Sequence, residues 1–371
     1  MLSWVEINRS ALEHNLKNFR NLIGKATLLI PVIKSNAYGH GIAEVAKICD
    51  ELEDVDRLAV VNLDEALLLR MLNIKKPIQI LSFFSFDIQK AGEAMKKNVI
   101  FPVYTLKQAI WLNTVAERIG QRCKIHIKID SGTTRIGFFV SELEDFLKNI
   151  QKLKHIEIEG VWSHFSSSET DYEITREQNR IFDSAIGVFK KIGICVPIRH
   201  ISCSAATILH PVARYDAVRI GLCSYGLYPD KKSRKKINLK PVLSWKTTVI
   251  QVKNVKKGTG ISYGNTYKMP KNGKIAIIPV GYYDGYDRAW SNKAEVLING
   301  KRCPVRGRVC MNLTMIDVSK LKNCKEGSIV TLIGADGKEE ITADDLTALT
   351  PETINYEIVT RINPLIRRIV V

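Results

Sequence analysis

The chain has 371 residues, 45% hydrophobic and 25% charged, an ordinary globular composition with room for two domains. No apolar run approaches the roughly 20 residues of a membrane span, and residues 1–10 lack the apolar core of a signal peptide, so the chain is expected to be mature from its start, cytoplasmic and free of membrane association. The net charge of +17 suits an anionic ligand, but the densest basic run, residues 231–236, lacks interleaved aromatics and any nucleic-acid-binding signature, so it reads as an exposed linker and no nucleic-acid partner is expected.

In chain order, Ser10-Ala11-Leu12-Glu13 fits a capping box that opens a helix. Short β-branched runs then recur at 26–34, 57–62, 78–83, 99–104, 124–130, 156–165, 198–205 and 217–226. Helix-like stretches such as Asp64–Met71 and Gln178–Lys191 lie between them. Eight strands alternating with helices predict an α/β fold, an N-terminal (β/α)8 TIM barrel over 1–237. From 238 to 371 the beat changes to strands joined by turns, with runs at 243–253, 274–280, 295–298, 303–309, 313–318 and 328–333. This predicts a C-terminal, mainly β domain, with the first residues of the chain pairing with it. The eight cysteines show no C-x-x-C spacing and read as small apolar side chains, with no disulfide and no metal site expected.

Chemistry in such a barrel sits at the C-terminal ends of the strands. The first run, Leu28-Leu29-Ile30-Pro31-Val32-Ile33, delivers Lys34 there, followed by Ser35-Asn36-Ala37-Tyr38-Gly39-His40-Gly41. Alone, a strand-edge lysine more often snorkels to solvent than reacts. In an apolar setting its pKa falls and it becomes an amine nucleophile. The other strand ends carry Arg135, His164, Ser204, Arg219 and Gly221, and Lys128 lies among isoleucines inside a strand. The rims of strands seven and eight often bind phosphate. One lysine, one histidine, two arginines and a phosphate-like rim on one face point to pyridoxal 5′-phosphate held as a Schiff base. In the β domain, Tyr263, Tyr282 and Met311 lie in or beside glycine-rich turns.

With these blocks in this order, the chain resembles the alanine racemase family over essentially its whole length. The segment around Lys34 is similar to the family's cofactor-attachment signature. The resemblance implies a two-domain homodimer whose active sites are each completed by the partner. It makes Lys34 the cofactor anchor and one base, and Tyr263 of the partner subunit the opposite base. It implies that Tyr38, Ser204, backbone near Gly221 and Tyr356 hold the phosphate. His164 would sit against the pyridine ring and Arg219 on its nitrogen. Arg135 would help orient Tyr263 and the substrate carboxylate, the Met311 N–H would bind that carboxylate, Tyr282 would bind the substrate, and Lys128 would be N-carboxylated to steady Arg135. The activity implied is interconversion of L- and D-alanine for peptidoglycan.

Cys203, Thr133, Ile220, Asn312, Ser167 and Glu169 stand where the family usually has Asn, Met, Pro, Asp, Ala and Asp. Cys203 and Ser167 leave a serine or broad-spectrum racemase open, whereas Tyr356 favours a small side chain. A non-catalytic cofactor carrier predicts no β domain. A decarboxylase of this architecture predicts an acid where Arg219 stands.

Overall fold

The computed structural model describes residues 2–371, the Phe83 side chain excepted. The chain forms two compact units, each with its own core. One comprises Leu12–Ser35 and Val45–Lys240; the other comprises the N-terminal segment through Ala11, Asn36–Glu44 and Pro241–Val371.

Preceded by β1 (Ser3–Ile7) in the other unit, the first unit is built on β2 (Leu28–Pro31), β3 (Leu58–Asn62), β4 (Ile78–Phe83), β5 (Val99–Val103), β6 (Cys123–Lys128), β7 (Ile156–Trp162), β8 (Ile198–His200) and β9 (Ala217–Ile220). Strands β3 to β8 pair in parallel in chain order, and β2 pairs in parallel with β9. Backbone bonds close the ring. Ile33 N donates to Ala59 O (2.8 Å) on one side, and Arg219 N to Ser202 O (3.0 Å) and Asp216 N to Arg199 O (3.0 Å) on the other. The eight strands coincide with the eight runs read from the sequence, because β-branched residues buried on both faces suit a helix-covered parallel sheet.

Amphipathic helices cover the strands, and polar caps set their starts. Asn62, Asp87, Thr105 and Asp171 each accept the backbone N–H three residues on, contributing about 1 kcal/mol apiece. The first helix, Arg9–Ile23, starts earlier than the sequence suggests. Asn8 Oδ1 accepts both Ala11 N and Ser10 Oγ at 2.9 Å. Ser10 therefore lies inside the first turn and Asn8 is its cap. The basic run is exposed, as expected, and carries a short helix. Lys231–Arg234 is a helical turn capped by Asp230, with Ser233 buried and the lysines exposed.

In the second unit, β1 pairs antiparallel with Leu243–Thr248 and parallel with Arg367–Val370, so the two chain termini share a sheet. Trp245, Tyr286 and Trp290 pack edge-to-face in its core. The run 243–253, read as one strand, is two. After Thr248 the chain changes sheets, and Gln251–Val255 pairs with Gly273–Ile278 instead.

Candidate active site

Lys34 follows the buried residues Leu29–Ile33 and is itself half-buried. Burial lowers its ammonium pKa, the Arg135 charge lowers it further, and Glu65 opposes both. Glu65 also fixes the local backbone, accepting Ser35 N at 2.7 Å and Val61 N at 2.8 Å.

Immediately after Lys34 the backbone turns left-handed. Ser35, Asn36, Ala37 and Tyr38 have φ of 53°, 55°, 51° and 54°. Four L-residues in that conformation cost about 4–8 kcal/mol. The rest of the β unit offsets this locally. Asn36 O accepts Gly41 N and Asn36 Oδ1 accepts Ile42 N, both at 2.9 Å. Buried His40 bonds the Ala37 and Tyr38 carbonyls, and Arg368 bonds that of Gly39. Tyr38 so placed meets Tyr356, ring centroids 5.9 Å apart.

Inside the barrel, Arg219 is buried and both its Nη atoms are engaged. Its Nη2 donates to Ser163 O (2.8 Å) and Ile201 O (3.1 Å) and lies 3.1 Å from His164 Nδ1; its Nη1 lies 2.6 Å from His200 Nδ1. The Trp162 ring carries Arg219 and Lys128, at 4.9 and 4.6 Å from its centroid. Lys128 Nζ donates to the Ile129 carbonyl and, among the described residues, forms no ion pair within 4.0 Å. Burial, then the Arg219 charge, holds its pKa well below the usual lysine value. Asp130 accepts Gly132 N, Thr133 N, Thr134 N and Arg135 N at 2.9–3.0 Å, fixing the loop that presents exposed Arg135.

These groups converge on His164. Burial, followed by the charges of Arg219, Lys128, Arg135 and Lys34, holds it neutral, well below its ordinary pKa. Nearby, Gly221 N donates to Ser204 Oγ at 3.0 Å, and Cys203 Sγ lies 3.2 Å from Ser168 Oγ. Two arginines and two lysines around a neutral imidazole suit an anionic ligand, and an amine with a lowered pKa suits attack on its carbonyl.

The β unit gathers the remaining residues on neighbouring loops. Ser262, at φ 64°, donates Oγ to Arg308 O (2.6 Å) and so fixes the turn bearing Tyr263, whose side is 70% exposed. Tyr282 N and Tyr283 N donate to Cys310 O and Met311 O, both at 3.0 Å. Gly281 permits that approach, since a Cβ there would lie 2.2 Å from Cys310 O.

Sequence reading missed Glu65, Arg368 and the His126–His200–Glu159 group. The in-phase placing of His126 and Lys128 on one strand was a usable signal, because side chains two apart share a face. Arg368, near the C-terminus, left none.

The chain matches the family model "Alanine racemase, N-terminal domain" over residues 7–229 and "Alanine racemase, C-terminal domain" over 242–370. It is 42% identical to an alanine racemase of Methylacidiphilum infernorum over 368 residues, 99% of this chain and 92% of the relative. It is 40% identical to one of Methanococcus maripaludis, covering 99% and 98%. Among solved structures it resembles the alanine racemase of Clostridium difficile 630 (TM-score 0.93, 34% identity, covering 100% and 96%). It also resembles that of Bacillus anthracis with bound L-Ala-P (TM-score 0.91, 36% identity, covering 100% and 95%).

Proposed function

Because this chain belongs to the alanine racemase family, we propose that it is an isomerase interconverting L- and D-alanine with pyridoxal 5′-phosphate. The observation that carries the reading is Lys34, a half-buried amine of lowered pKa facing the cationic group around neutral His164. That donor set fits the cofactor. Lys34 is an amine for its aldehyde, Arg219 a permanent donor for its ring nitrogen, and Tyr38, Tyr356, Ser204 and backbone near Gly221 are donors for its phosphate. When bound, the cofactor withdraws electrons from the substrate and acidifies its Cα–H.

The protein's own groups then move the proton. Lys34 Nζ takes or returns it on one face of Cα, and Tyr263 of the partner subunit serves the other, so the working form is a homodimer. The exposure of Tyr263 on a fixed turn supports donation to a second copy. Arg135 and the Met311 N–H hold the substrate carboxylate, and Tyr282 contacts the substrate. Lys128 has a strongly depressed pKa, forms no ion pair within 4.0 Å, and lies near two arginines; this supports its N-carboxylation by CO2, which would give Arg135 and Arg219 a shared anion. The names of the similar proteins favour alanine over a serine or broader range. Among the described residues no helix is long and apolar enough to cross a membrane. We assign the enzyme to the cytoplasm, supplying D-alanine for peptidoglycan.

The test is racemisation of L-Ala, L-Ser and L-Lys by purified protein with added pyridoxal 5′-phosphate, followed by circular dichroism. Alanine is expected to turn over fastest. Faster turnover of serine, or none of any amino acid, overturns the reading.

A further inference from the structure

The barrel interior carries a second polar layer that the proposed proton transfers do not use. From Arg219 a line of hydrogen bonds runs away from the Lys34 end. Arg219 Nη1 lies 2.6 Å from His200 Nδ1, His200 Nε2 lies 2.8 Å from His126 Nδ1, and His126 Nε2 lies 3.0 Å from Glu159 Oε2. Glu159 is anchored in turn by Arg57 Nη1 at 2.5 Å, with Lys124 Nζ 3.6 Å from its other oxygen. The two histidines are fully buried, whereas Glu159 and Arg57 each keep 13% of the side chain in solvent.

The fold makes room for this line. A Cβ at Gly160 would lie 2.5–2.8 Å from three atoms of the His126 ring. The Trp162 ring lies parallel to His200, within 6°, and holds its plane. Gln79 Nε2 sits 3.2 Å from His126 Nδ1 and 3.4 Å from His200 Nε2.

Donor and acceptor roles follow from one fact: a guanidinium only donates. His200 Nδ1 must accept from Arg219, so its proton sits on Nε2. That proton points at His126 Nδ1, which must accept, so the His126 proton is also on Nε2 and is given to the carboxylate. Burial holds both imidazoles neutral, and hydrogen bonds from His126 and Arg57 outweigh burial to keep Glu159 ionised. Every donor in the line therefore points toward Glu159.

We propose that Glu159, His126 and His200 are positioning residues that act through Arg219, a one-way relay that fixes His200 as an acceptor and thereby the orientation of the guanidinium. The proposal rests on the reading that Arg219 faces the ring nitrogen of the cofactor. Without the relay, His200 can turn its N–H toward Arg219, two donors then oppose each other, and the guanidinium shifts.

The test uses the holoenzyme with 15N-labelled histidine. Wild type is expected to show His126 and His200 as neutral Nε2–H tautomers at pH 7. An Nδ1–H tautomer or an imidazolium at His200 overturns the proposal, and this readout stands whether or not alanine is the substrate. Glu159→Gln is expected to lower kcat about tenfold, the size of one lost charge-assisted hydrogen bond, with KM little changed. It should also move the visible band of the bound cofactor and the His200 nitrogen resonances, and Glu159→Asp should restore most of both. If wild type racemises alanine and folded Glu159→Gln matches it in kcat, band and resonances, the relay has no such role. If wild type racemises nothing, the functional reading fails and the tautomers alone decide the relay.

Discussion

Arg368 closes its guanidinium on the Gly39 carbonyl, with Nε at 3.1 Å and Nη2 at 2.9 Å from the oxygen. The same side chain bonds the carbonyls of Ile362, Asn363 and Ile366. One buried arginine thus ties the left-handed turn that carries Tyr38 to the C-terminal segment that carries Tyr356. Arg368→Met leaves these carbonyls unpaired and is expected to cost on the order of 3 kcal/mol or more. It should also weaken binding of pyridoxal 5′-phosphate. Urea unfolding and cofactor titration check the two effects, and unchanged values for both would exclude the clamp.

Gly39 itself, at φ +84°, has no space for a side chain. A Cβ there would lie 1.9 Å from Val359 O. Gly39→Ala is expected to destabilise the fold by several kcal/mol, or to prevent folding. Gly24→Ala is the control, because Gly24 has φ +74° but open space around it, so its cost should be about 1 kcal/mol. Thermal melts of the two variants distinguish a steric demand from a conformational one.

The depressed pKa of Lys34 has a consequence for pH dependence. Its free amine is available at a lower pH than that of an ordinary lysine, partly through the Arg135 charge. Arg135→Gln removes a cation and should raise that pKa. The pH midpoint for imine formation between cofactor-free protein and pyridoxal 5′-phosphate should therefore move upward. Lys34→Ala should show no imine at any pH; a normal visible band there would remove Lys34 as the anchor.

Lys128 makes a stability prediction of defined sign. Its folded pKa is depressed, so its full contribution is present above the ordinary value of 10.5 and is lost as pH falls through the folded value. In CO2-free buffer, Lys128→Met should gain on wild type as pH drops from 10 toward 7, by about 1–3 kcal/mol. Bicarbonate should reverse the difference if the amine is carboxylated, and 13C-bicarbonate should then give a carbamate resonance that Lys128→Met lacks.

Tyr263→Phe removes only a hydroxyl from an exposed ring. The cofactor band should persist. Proton abstraction from one enantiomer of alanine should fall by at least about a hundredfold, as expected of losing a general base, and more than from the other. Deuterium wash-in from each enantiomer measures this, and equal losses accompanied by cofactor release would reject the opposite-base role.

The barrel was legible because its strands are buried on both faces and so appear as short, uninterrupted β-branched runs. Lys34, His164, Arg135 and Arg219 were legible because their positions follow from the strand ends. Residues 243–253 misled because the segment contains no glycine or proline to mark the point at which it changes sheets. The Asn8 cap was missed because asparagine and serine both cap well, and only the first turn's geometry chooses between them.

The sequence by itself determined the alternation of strand and helix and the chemical kind of each rim residue, since burial pattern and side-chain chemistry are local properties. Tertiary structure alone decided the left-handed course of Ser35–Tyr38, which four ordinary residues adopt only under constraints from Val359, Arg368 and His40. It also decided the line of contacts from Arg219 through His200 and His126 to Glu159. Local preference opposes the first and is silent on the second, because both depend on contacts between residues far apart in the chain.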